Sequence, residues 1–174
     1  MMDGNNRLSR VEKGQSLPAQ FDKEIYETIR AALSEARTSV VVAVNSAMVS
    51  VYWEIGRQIA EAVGERAEYG RNLLEYLSER LTEEFGKGFT VRNLRNMRQF
   101  YETFPIRHAL RAELSWTHYR LLMRVEEPSR REFYLTEGAD SGWTSRQLER
   151  QINSFYYERL LALRRQGEAH IFFH

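Results

Sequence analysis

The chain has 174 residues and sets 25 Lys plus Arg against 24 Asp plus Glu, a formal net charge of +1. Taken as a whole, that balance argues against a polyanionic ligand, and the absence of cysteine excludes a disulfide framework and a thiolate metal site. With 43% apolar and 28% charged residues the composition is that of a folded chain, sized for one domain or two small ones packed together. Among the basic residues, three lysines (Lys13, Lys23 and Lys87) stand against 22 arginines. Genome composition explains such a bias, and so does planar, bidentate recognition of phosphate.

The opening, Met1 to Gln20, is polar and carries Gly4, Gly14 and Pro18, so it reads as a loose leader or tag rather than a signal peptide. From Phe21 to Val63 the only helix breaker is Gly56. Apolar residues recur there at steps of four, four and three: Ile25, Ile29, Leu33, Ala36, Val40, Val44, Ala47, Val51 and Ile55. Eleven residues over three turns make a seam that runs nearly straight along a helix, with Ala36 and Ala47 small enough for another backbone to approach. An unbroken helix would reach ~60 Å, so the segment is expected to break near Ser39 or Gly56, or to project and pair. A homodimer seam of Ile29, Ala36, Val40, Val44, Ala47 and Val51 is one expectation, and an ordinary core helix pair is the other. The most apolar stretch, Val40 to Ile55, is interrupted by Asn45 and Glu54 and falls short of the ~20 apolar residues of a membrane span. A cytoplasmic protein with no membrane partner is expected.

Arg71 to Phe85 predicts a second helix with Leu73, Leu74, Leu77, Leu81 and Phe85 on one side, stopped by Gly86 and Gly88. Thr90 stands where an N-cap belongs, and a third helix follows from Val91 to Phe104, before Pro105. Helix, tight turn and capped helix form the outline of a helix-turn-helix. The outline occurs twice, because Gly88-Phe89-Thr90-Val91-Arg92-Asn93-Leu94 is matched by Gly142-Trp143-Thr144-Ser145-Arg146-Gln147-Leu148. Upstream of the second copy, Ser115 can cap a helix from Trp116 to Val125, and Pro128 suits the first turn of one running to about Gly138. A last long helix is expected from Ser145 to Leu163, then a tail. Nothing has the strict alternation of a strand, so the fold class is all-α: a long N-terminal helix or helix pair over 21–63, then two tandem helix-turn-helix-like units over 71–104 and 115–163. Gly88 leaves room for a small wing, without a strand pair to support it.

At 100° per residue the third helix gathers Leu94, Met97, Phe100, Tyr101 and Phe104 on one arc and Arg92, Arg95, Asn96, Gln99 and Thr103 on the opposite one. Arginine can pair with guanine O6 and N7, Asn or Gln with adenine, and all of them reach phosphates. The same positions after the second cap hold Arg146, Arg150, Asn153 and Tyr157. Charge agrees locally: Lys87, Arg92, Arg95, Arg98, Arg107 and Arg111 face the single acid Glu102, a net of five positive charges. The candidate nucleic-acid-binding residues are therefore Lys87, Arg92, Arg95, Asn96, Arg98, Gln99, Arg146, Arg150 and Asn153. Catalytic patterns are sparse. The only aspartates are Asp3, Asp22 and Asp140, His170 and His174 have helical spacing but no third ligand nearby, and no Gly-rich phosphate loop occurs, so no metal, cofactor or catalytic residue is assigned.

Several strings in order carry a family resemblance: Asn45, Val51-Tyr52-Trp53-Glu54-Ile55-Gly56-Arg57, Tyr69-Gly70, Leu77-Ser78, Phe85-Gly86-Lys87-Gly88-Phe89, Asn93-Leu94-Arg95-Asn96-Met97-Arg98-Gln99-Phe100-Tyr101, Leu114-Ser115-Trp116-Thr117-His118-Tyr119 and Leu148-Glu149-Arg150-Gln151-Ile152. From about Phe21 to Leu163 they resemble the N-terminal domain of the YhcG family of bacterial proteins. The resemblance implies a helical DNA-binding domain, followed in full-length members by a C-terminal PD-(D/E)XK nuclease domain and associated with restriction-modification and phage-defence loci. Residues 164–174 read as an excised or truncated end, with no Asp followed by Glu-x-Lys or Asp-x-Lys, so nuclease chemistry is not carried over to this chain. The expected function is DNA binding and dimerisation beside such a nuclease. The rival expectation is a module that docks the nuclease onto a partner such as a restriction-modification subunit.

Overall fold

The computed structural model describes residues 19–64 and 67–171, with side chains from 22 to 64 and from 68 to 165. The expected leader, up to residue 18, and the last three residues of the tail lie outside these. The chain divides into two units, residues 1–39 and 40–174. The described part of the first is helical, and each of its side chains from Asp22 to Ser39 is exposed. Ile25, Ile29 and Leu33 are about half accessible, at 48%, 54% and 56%.

Seven α-helices and two short 3₁₀ turns make up the described residues, which contain no strand, so the all-α expectation holds. They are α1 (Ala19–Val63), α2 (Ala67–Phe85), α3 (Val91–Thr103), α4 (Trp116–Leu122), α5 (Pro128–Asp140), α6 (Ser145–Asn153) and α7 (Tyr156–Ile171). The wing left open at Gly88 is one 3₁₀ turn, Lys87–Phe89. Neither Ser39 nor Gly56 interrupts α1, in contrast to the expected break.

Within the second unit, α1 turns a different side to the core than the eleven-residue repeat marks. Val49, Trp53, Ile59 and Val63 are buried at 2%, 7%, 2% and 2%, whereas Val40, Val44 and Val51 stay 62%, 56% and 48% accessible and Ala47 is exposed. The core side is a helical stripe at steps of four, three, three and four once Gly56 is counted. Gly56 is there because the α3 backbone is: a Cβ on it would lie 2.0 Å from the Met97 carbonyl oxygen. The Trp53 indole N–H then donates to the Phe104 carbonyl oxygen at 2.7 Å, tying α1 to the end of α3. The core-pair reading of the seam therefore fails for Val40, Val44 and Val51. By length and composition alone α1 also meets the criterion for a membrane span, with mean hydropathy 1.3 and 17% of the window buried. The expectation that its apolar stretch falls short of that criterion is corrected accordingly.

Two apolar clusters fill the second unit. Ile59, Val63, Leu74, Leu94 and Met97 form one, and Phe100, Tyr119, Leu122, Tyr134 and Leu148 lie in the other. Trp116 packs on both, with ring centroids 5.1 Å from Tyr52 and 5.3 Å from Phe100. Leu94, Met97 and Phe100 are fully buried, so the apolar arc expected of α3 is its core side; such burial contributes roughly 1.5–3 kcal/mol per side chain. The expected last long helix is two helices. Phe155, at φ 54, turns the chain between α6 and α7, and the Tyr134 hydroxyl spans the turn, donating to the Gln151 carbonyl at 3.1 Å and accepting from the Tyr157 N–H at 3.2 Å. Similarly α4 is shorter than expected, ending at Leu122, and α5 runs two residues further, to Asp140.

The Gly56 contact generates a stability prediction. Alanine has the better helix propensity by roughly 1 kcal/mol, yet Gly56→Ala should cost about 3 kcal/mol net through the backbone clash. Thermal denaturation should show Tm falling by about 6–12 °C. A variant as stable as the parent would show that α1 and α3 do not meet this closely.

Candidate nucleic-acid interface

Helix α3 begins where its sequence says it should. The Thr90 hydroxyl accepts from the Asn93 N–H at 3.3 Å, and the Asn93 amide donates back to the Gly88 carbonyl at 2.6 Å, holding the preceding turn. With Leu94, Met97 and Phe100 turned inward, two polar stripes remain. Arg92, Asn96 and Gln99 share one by i, i+4, i+7 spacing, and Arg95, Arg98 and Glu102 share the other.

The stripes face different neighbours. Arg95, Arg98 and Glu102, with Gln99 at the border, line an open cavity with Gly70, Arg71 and Leu74 of α2. The Arg98 Nε lies 2.7 Å from Glu102, so that guanidinium already has its carboxylate. On the other side, Arg92, Asn96 and Gln99 line a cavity of about 180 Å³ together with Arg120, Met123 and Arg124. Beside it, a second cavity joins Lys87, Arg92, Asn93 and Asn96 to Trp116 and Arg120.

Helix α4 supplies this second wall. It is short, and its start is fixed by an imidazole. His118 is buried, 8% accessible, and its Nδ1 accepts from the Ser115 N–H at 3.1 Å and lies 2.7 Å from the Ser115 hydroxyl. That assigns the ring proton to Nε2, which donates to the Trp143 carbonyl oxygen at 2.9 Å. Residues 115 and 118 thus form a capping box in which imidazole replaces the usual carboxylate or amide, and the same ring reaches across to the turn before α6. Burial, the larger effect, lowers the His118 pKa below its ordinary 6.5, and the hydrogen bond to the Trp143 carbonyl opposes the shift.

At that turn Gly142 takes φ 60, a conformation that favours glycine, and Thr144 caps α6. The Thr144 hydroxyl accepts from the Gln147 N–H at 3.3 Å and the Gln147 side chain accepts from the Thr144 N–H at 2.8 Å. The repeated Gly-aromatic-Thr-x-Arg string thus marks two capped helix starts. Both α3 and α6 pack on α4. A third cavity, about 300 Å³, is lined by Arg120, Arg124 and Arg146 with Thr117, Leu121, Ser145 and Glu149.

Of the residues expected at an interface, Lys87, Arg92, Asn96, Gln99 and Arg146 therefore border cavities that meet at α4, while Arg95 and Arg98 turn toward α2. Arg150 and Asn153 are exposed on α6 and line none of these three cavities. Arg120 and Arg124 were not expected, although Arg120 lines all three of these cavities and Arg124 two of them. Their i, i+4 spacing is the one signal the sequence offered. Among the described residues, Arg92, Arg120, Arg124 and Arg146 make no ion pair, and Glu149 is the only carboxylate lining the three cavities. Guanidiniums without carboxylates, set in a concave surface, are suited to phosphate oxygens. Among the described residues no group of three His, Asp or Glu could hold a metal ion; the side chains of His170 and His174 lie outside them.

Comparison with known proteins agrees with the motif resemblance. A family model described as the DUF1016 N-terminal domain matches residues 28–159. A protein of Escherichia coli (strain K12) titled "Putative nuclease YhcG" is 34% identical over an alignment that covers 80% of this chain and 46% of the relative. The chain thus spans about half the length of the curated relative it matches. No solved structure matches it.

The His118 geometry sets a pH dependence. The folded-state pKa lies below the unfolded one, so the contribution is fully present above about 6.5 and is lost as pH falls through the lowered folded value. Chemical denaturation between pH 7.5 and 5.5 should show stability declining, and His118→Gln should be less stable at pH 7.5 with a flatter profile. Parallel profiles for parent and variant would remove His118 as the cause.

Proposed function

The chain belongs to the family of the DUF1016 N-terminal domain, and on that premise we propose that it is the DNA-binding and dimerisation module of a YhcG-like nuclease, working in the cytoplasm in restriction-modification or phage defence. The observation that carries DNA binding is the group of unpaired arginines, Arg92, Arg120, Arg124 and Arg146, bordering connected cavities with a single carboxylate among them. In this reading α3 and α6 are the capped helices of two helix-turn-helix-like units, their polar sides turned to the phosphate backbone. Nuclease chemistry belongs to the part of such a protein beyond this domain, and the module itself uses no cofactor and supplies no catalytic group.

Dimerisation is supported by the exposed apolar residues of α1. In the second unit Val40, Val41, Val44 and Val51 are 48–62% accessible, and a helix side this apolar gains by burial against a second copy. The same observation favours a second reading, in which the module docks the nuclease onto a partner such as a restriction-modification subunit.

Duplex DNA retention tests the first reading. Binding should weaken as salt rises, with a slope near −3 in log–log form if about three or four phosphates are neutralised. Arg92→Ala together with Asn96→Ala should reduce affinity at least about tenfold at fixed salt. No retention at low salt would remove DNA from the proposal. Light scattering on the parent and on Val40→Glu with Val44→Glu tests the seam: a dimer converted to a monomer is expected. A dimer without affinity for DNA would favour the docking module instead.

A further inference from the structure

Resting on the DNA-binding reading, we propose that the cleft across α4 is one continuous site for the phosphate backbone of duplex DNA, with Arg120 at its centre, and that it grips the duplex independently of base sequence. Three cavities run from α3 to α6, and Arg120 lines all three; Arg124 lines two. Arg92, Asn96 and Gln99 enter from α3 and Arg146 from α6. The two capped helices therefore share a single track instead of forming two separate interfaces.

The geometry separates backbone grip from base reading. A recognition helix must stand proud, because the major groove is roughly 12 Å wide and a helix with its side chains is about 10–12 Å across. The Arg92, Asn96 and Gln99 stripe does not stand proud: it shares its cavity with Arg120 of α4 and with Met123 and Arg124 just past its end. Two helices side by side cannot enter that groove together, whereas guanidiniums lining a cleft suit the phosphate oxygens of a backbone strand. Single strands are held differently, by aromatic rings that stack on bases. Among the described residues Trp116 is the only aromatic side chain lining these cavities, and its ring is already packed on Tyr52 and Phe100.

Fluorescence anisotropy with the full chain, on two 25-base-pair duplexes of unrelated sequence across a salt series, decides the matter. Arg120→Ala should weaken both duplexes equally, by about fivefold to tenfold, and reduce the salt slope by about one. Arg124→Ala, at an exposed position, should do the same and serves if Arg120→Ala fails to fold. Arg71→Ala, on α2 and away from the cleft, should stay within about twofold of the parent. Unchanged affinity and slope in both the Arg120 and Arg124 variants, with the parent still binding, would overturn the α4 track while leaving DNA binding in place. A large preference for one duplex sequence, or for a single strand of equal length, would overturn the backbone grip. Failure of the parent to bind any duplex would instead sink the DNA-binding reading on which the track rests.

Discussion

One buried imidazole holds the basic surface in shape. His118 binds the start of its own helix through Ser115 and the turn before α6 through the Trp143 carbonyl. Removing it would leave a half-buried N–H and a half-buried carbonyl without these partners, each costing at most the roughly 1–3 kcal/mol of a fully buried unmatched group. The consequence reaches past stability. Because α4 and α6 are positioned by the same ring, Arg120, Arg124 and Arg146 face one cavity, and their mutual repulsion is opposed by packing beneath them. Trp116, lodged between the two apolar clusters, holds the other side of the same short helix.

A second constraint is backbone contact. Gly56 lets α1 lie against the carbonyl of Met97, and the Trp53 indole secures the end of α3. The approach orients α3 so that Leu94, Met97 and Phe100 are buried and its two polar stripes diverge, one toward α4 and one toward α2. It also decides which side of α1 is spent on the core. The repeat of Val40, Val44 and Val51 is left outside, exposed and apolar.

Much of this was legible in the sequence wherever one helix determines the outcome. Thr90 and Thr144 were readable as caps because capping is local chemistry, and the buried arc of α3 followed from helical period alone. What involves two helices at once was not. Arg120 and Arg124 sit in a stretch that reads as a short apolar helix, and only the approach of α3 and α6 turns them into walls of a cleft. A wheel placed Arg92 and Arg95 on one face, whereas the neighbours on either side divide them. The break at Phe155 carries no proline or glycine; it is stabilised from α5 by the Tyr134 hydroxyl, a partner far away in sequence. For α1 the apolar repeat was real, but Gly56, not the repeat, chose the packed side.

The arginine bias of the chain bears on how such a surface can be controlled. Guanidinium groups as a class stay charged at physiological pH and are not substrates for lysine acetylation. Lys87, at one end of the cleft, is among the described residues the only ammonium lining these cavities. Neutralising it would leave the remainder of the positive field intact. Opposing the field of such a face therefore calls for added negative charge, for instance an acidic segment or partner lying in the cleft, more than for neutralising a lysine.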